Sequence, residues 1–179
     1  MKYNVKQLAY LGVLSTLAII ISTVESLMPP IFPMLPYARL GLANCIILFT
    51  MVCLGAKESF LVLLLKCVFS AIFSGNPTSA LYSLSGGILS FMPMLILVYF
   101  QKNSIMAISC LGGILHNLGH ILIASAITHS LAPISLLPYM LLLGGICGII
   151  TGLISHVIIK RLYGNSDDKA RNKDFGKNL

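Results

Sequence analysis

Charge is what this sequence has least of. Of its 179 residues only 9% are Asp, Glu, Lys or Arg, 57% are hydrophobic, and the mean hydropathy is +0.93. A soluble domain carries about 25% charged residues and about 45–50% apolar ones. This chain therefore has too little polar surface to cover itself in water. Its apolar runs of about 20 residues match the thickness of a bilayer core, which makes an integral membrane protein the expected class.

Other absences narrow the function. The five cysteines, Cys45, Cys53, Cys67, Cys110 and Cys147, stand singly with no CxxC. They read as small core residues, not a disulfide framework or metal site. No Walker A loop and no GxSxG elbow occurs. The adjacent pair Asp167-Asp168 lies near the C-terminus, and Arg171 stands where a DDxxD motif needs its last Asp. Magnesium-diphosphate chemistry on Asp-rich clusters is thus not expected. The basic excess of +7 does not indicate nucleic acid. Most Lys and Arg residues lie in the first six positions or after residue 159, flanking the apolar spans.

The pattern predicts six helices, over about 7–27, 39–55, 58–75, 78–100, 104–128 and 135–161. They are separated by "PPIFPMLPY", "GAKE", "SGNP", "QKN" and "HSLAP", whose Pro, Gly and Asn stop helices. No small-x-small cleavage site follows the first run, so it is expected to stay as a span. With the N-terminus inside, Lys2, Lys6, Lys57, Lys102, Lys160 and Arg161 fall on the cytoplasmic side and only Arg39 on the outer side. Positive-inside then places both termini in the cytoplasm. The expected fold is an all-α membrane bundle of six transmembrane helices over 1–162. A polar tail over 163–179 is expected to be disordered.

Polar groups inside spans are expensive and therefore functional candidates. On the expected topology they gather in the outer half: Glu25, Arg39 and Asn44, then Lys66 near mid-membrane, and Asn76, Thr78, Ser79, Tyr82 and Ser85 around the start of helix 4. His116, Asn117 and His120 follow on helix 5. In "HNLGH" the two histidines share a helix face, the spacing of a zinc-protease pair. Asn117 occupies the place of the catalytic Glu and cannot accept a proton, and no third ligand accompanies the pair. No metal is expected. Structural readings stand beside the functional ones: a Glu25–Arg39 ion pair, Tyr82 as a belt aromatic, a snorkelling Lys66, and Asn44 and Asn117 as interhelical glue. His129 and His156 read as incidental. The joint concentration at one depth favours a cavity opening outward, with a slight positive excess suited to an anionic or amphipathic ligand.

Small residues form a second pattern. Gly86-Gly87, Gly112-Gly113, and Gly144-x-x-x-Gly148-x-x-x-Gly152 permit close helix approach, with a sliding face as the functional alternative. Ala9, Gly12, Ser15 and Thr16 on helix 1 offer a docking stripe for another membrane subunit.

"RLGLAN" (39–44), "PTSALYSLSGG" (77–87) and "GGILHNLGH" (112–120) resemble the signatures of the bacterial membrane family named heptaprenyl diphosphate synthase component I, also called the Gx transporter family. The resemblance covers roughly 8–162. Its six-helix layout is similar to the S components of energy-coupling factor transporters. It implies a multi-pass protein of the bacterial cell membrane that captures a small vitamin-like ligand, contacts membrane lipid, and works with a coupling membrane subunit and ATPase subunits. It also implies that helix 1 docks the coupling subunit and that "MPPIFPMLPY" lids the pocket. Gly12-x-x-x-Thr16 stands where Ala-x-x-x-Ala is typical, and His120 where the family carries Gln. No cofactor, catalytic residue or nucleic-acid partner is implied. The alternative is a non-catalytic accessory subunit of prenyl diphosphate or quinone synthesis.

Overall fold

The computed structural model describes residues 5–28, 39–100 and 104–163. Among them the chain is all-helical: α1 (Val5–Leu27), α2 (Asn44–Cys53), α3 (Ala56–Ser74), α4 (Pro77–Phe100), α5 (Ile105–Thr128) and α6 (Leu137–Tyr163), with a 3₁₀ turn at Ala132–Leu136 before α6. The stretch expected to lid a pocket, the "QKN" connection and the polar tail lie outside the described residues. Elements begin and end where local chemistry dictates. Ser104 accepts the Ala107 N–H to cap α5, and Gly75 closes α3 in the left-handed region.

Four helices, α1, α4, α5 and the Ala132–Leu162 segment, are long and apolar enough to cross a membrane. They are apolar almost all round, and Val13, Leu17, Ile20, Met92, Ile96, Leu142, Ile146 and many similar side chains face outward. A helix apolar on every face belongs in protein interior or lipid. The molecule is a helical membrane protein.

Helix 2 differs from the expectation. The apolar run predicts a start at 39, yet residues 39–43 are not helical and α2 has 10 residues. At 1.5 Å per residue it is about 15 Å long, half a bilayer core. The cause is local: Gly41 has φ +79°, a left-handed conformation that interrupts a helix. Arg39, Gly41 and Ala43 are nevertheless buried. Irregular backbone at this depth survives only inside protein, with its polar groups satisfied.

α5 lies between α4 and α6, α1 packs on α3, and α2 is inserted beside α3 and α6. Glycines set the two closest helix pairs. A Cβ on Gly119 would come within 2.7 Å of Gly86 Cα, and one on Gly148 within 2.6 Å of the Ser109 carbonyl. Gly113 and Gly144 face each other across α5 and α6 in the same way. Close packing of small residues replaces the hydrophobic drive that lipid cannot provide.

Candidate functional site

The turn ahead of α2 shows how the site is built. Its backbone N–H groups have no helical partners, so side chains supply them. Leu42 N–H donates to Glu25 Oε1 on α1 at 3.0 Å, and Arg39 N–H donates to His120 Nδ1 on α5 at 3.2 Å. The Arg39 guanidinium reaches across three helices. It donates to Ser22 Oγ of α1 at 2.9 Å, to Ser70 Oγ of α3 at 2.7 Å, and to Ser79 Oγ of α4. Ser22 in turn donates to Ser70 at 3.1 Å. All three serines are buried.

Around this anchor lie the remaining candidates. Lys66 is 1% exposed and is among the largest fully buried side chains, so it points into the bundle and does not snorkel. It interacts electrostatically with Glu25 and Arg39. Tyr82 is buried edge-on to His120, with ring centroids 5.8 Å apart, and is not a lipid-facing belt residue. His116 and His120 are also edge-to-face, at 4.4 Å. His116 fills the gap between Gly41 and Gly86, where a Cβ on either glycine would lie 2.7–2.8 Å from the imidazole. Asn117 Nδ2 donates to the Met140 carbonyl of α6 at 2.8 Å. That is the interhelical glue expected of it. Asn44 opens α2 at 4% exposure, and neither of its side-chain polar atoms has a hydrogen bond.

Eight of the ten expected site residues thus come together at one end of the bundle: Glu25, Arg39, Asn44, Lys66, Tyr82, His116, Asn117 and His120. Glu25 and Arg39 interact electrostatically, but each is held by other groups in the turn. Asn76 and Thr78 do something else. Asn76 Oδ1 accepts the N–H and the hydroxyl of Thr78, at 3.0 and 2.7 Å, which caps the start of α4. Sequence reading missed Ser22 and Ser70. A lone serine in an apolar run carries no signal until an arginine reaches it.

Of the expected docking stripe, Ala9, Gly12 and Thr16 are exposed and Ser15 is buried. Gly12, Ser15 and Thr16 line an apolar groove of about 650 Å³ between α1 and α3, with Leu61, Leu65 and Phe69 on its far wall. Thr16 Oγ1 donates to the Gly12 carbonyl at 2.8 Å, so its hydroxyl is satisfied within the helix. Among the described residues no three His, Cys, Asp or Glu side chains converge as metal ligands.

A helical membrane protein with an apolar exterior and a buried polar cluster drawn from α1 to α5 and the turn before α2 is the class that fold and site define. Within that class, the chain belongs to the heptaprenyl diphosphate synthase component I family, whose model matches residues 14–158. No curated protein matches the chain at a significant level.

Proposed function

We propose that this chain is the ligand-capturing membrane subunit of an importer of the energy-coupling factor type. It would take up a small vitamin-like molecule. One observation carries the reading. Asn44 and Asn117, at 4% and 1% exposure, hold side-chain polar atoms with no hydrogen-bond partner. Leaving such an atom unpaired costs about 1–3 kcal/mol. Such atoms in the same buried cluster as two cations, Lys66 and Arg39, are better explained as a binding surface than as packing. With both termini cytoplasmic, as the Lys and Arg distribution favours, this end of the six-span bundle faces outward in the bacterial cell membrane. The sequence carries no phosphate-binding loop of its own, so ATPase subunits and a coupling membrane subunit would supply energy. The α1 stripe is the candidate surface for that contact.

The groove between α1 and α3 favours a second reading. A lateral apolar groove open to lipid suits a prenyl chain, and the family's name points to prenyl diphosphate synthesis. In that case the chain is an accessory subunit. Purifying the chain from its native membrane and identifying copurifying proteins separates the two. An ATPase pair with a membrane coupling subunit supports import. A prenyl synthase without ATPases sinks it.

A further inference from the structure

Three contacts fix how α3 and α4 face each other. Ser70 of α3 and Ser79 of α4 accept from the same Arg39 guanidinium. Deeper in the bundle, a Cβ on Gly87 would come within 2.6 Å of Leu63 Cδ1. Deeper still, the Phe60 and Phe91 rings lie edge to face at 5.5 Å. Numbers fall along α3 as they rise along α4, so the helices are antiparallel in one steady register. Between the Ser70–Ser79 and Leu63–Gly87 levels, that register sets Lys66 opposite Ser83. Each stands four residues, about 6 Å, below the clamp serine of its own helix.

Both residues are 1% exposed. Ser83 Oγ has no hydrogen-bond partner. No described group accepts a hydrogen bond from the Lys66 ammonium, which interacts with Glu25 and Arg39 through space. The other polar groups nearby are committed. Glu25 Oε1 takes the Leu42 N–H, and the Arg39 guanidinium serves three serines. The His116 and His120 rings face the Gly86 and Tyr82 backbone. Against the two cations the described cluster sets one carboxylate, Glu25, so one positive charge is left without a counter-charge. An ammonium and a free hydroxyl at one level, in a bundle core that lipid surrounds, are a receptor for negative oxygen.

We propose that Lys66 and Ser83 form an anion subsite one turn beneath the Arg39 clamp, where they take a carboxylate or a phosphate of the captured molecule. Lys66 supplies the charge and Ser83 a directional hydrogen bond. Arg39 is a positioning residue here, since it ties α3 to α4 one turn above the pair. A group entering from the outer side passes the Arg39–Ala43 turn, so that turn moves during capture. This assignment rests on the ligand-capture reading above.

The test incubates the full chain, in lipid nanodiscs, with a deproteinised small-molecule extract of the cells that make it. Bound compounds are then identified by mass spectrometry. The proposal expects the enriched compounds to carry a carboxylate or a phosphate, and the compounds themselves show which. Enrichment should fall by about tenfold or more in Lys66→Met, which loses a charged donor, and by about fivefold in Ser83→Ala, which loses a neutral one. Ser83→Ala decides should Lys66→Met fail to fold. Enrichment of neutral compounds alone overturns the anion subsite and leaves ligand capture standing. No enrichment of any compound overturns both. Enrichment of anions that is unchanged in Ser83→Ala, or in a folded Lys66→Met protein, overturns the assignment of the subsite to this pair.

Discussion

The backbone N–H of Arg39 and the Nδ1 of His120 meet at 3.2 Å, joining the irregular turn before α2 to the middle of the α5 face. This contact explains why an aromatic nitrogen acceptor sits at full burial inside a membrane bundle. Without it a peptide donor would be stranded where water cannot reach. The second "HNLGH" histidine thus supports the Arg39 N–H on one side of its ring and faces the Tyr82 backbone on the other.

His120→Phe removes the acceptor while keeping a ring. It should destabilise the protein by about 1–3 kcal/mol, the range for orphaning a buried donor. His120→Gln retains an acceptor oxygen and should lose less. Thermal unfolding of both variants in mild detergent checks this, and equal losses would show that the hydrogen bond does not matter.

Arg39→Lys should behave almost as badly as Arg39→Met. A guanidinium presents a planar fork able to serve Ser22, Ser70 and Ser79 together, whereas an ammonium is a single point of charge. Losing hydrogen bonds to a charged group is worth about 1.5–3 kcal/mol each before relaxation. Denaturant unfolding that left Arg39→Lys at wild-type stability would contradict the clamp.

Glycine substitutions should separate packing from docking. Gly119→Ala and Gly148→Ala drive a methyl into neighbouring backbone and should cost about 1–3 kcal/mol. Gly12→Ala meets nothing within 4 Å and should change stability by less than about 0.5 kcal/mol. If Gly12→Ala loses copurifying membrane subunits at full stability, the α1 stripe is a partner surface. Retention of those subunits would remove α1 from the docking account.

Much of this was legible in sequence, because depth in the membrane is readable from helix periodicity and charge. Lys66, His116 and His120 stand out since lipid tolerates such groups only when they face inward. The break before α2 was not legible. An apolar run containing one glycine looks like helix, and only the Glu25 and His120 side chains that satisfy its backbone reveal the turn. Ser22 and Ser70 were hidden for the same reason, since their role exists only once Arg39 spans three helices. Asn76 and Thr78 looked like site residues by depth, yet local capping uses them at the start of α4.

The most direct measurement compares the wild type with Asn44→Leu by native mass spectrometry and thermal unfolding. Leucine is close to asparagine in size and removes two buried polar atoms that have no partner. If those atoms serve a ligand, the purified wild type should carry a non-covalent small molecule that the variant lacks. The variant should melt at the same or a higher temperature, because unpaired buried polar groups destabilise the empty fold. Equal occupancy in both proteins, or a variant that unfolds several degrees earlier with no ligand in either, would contradict a binding site at this cluster.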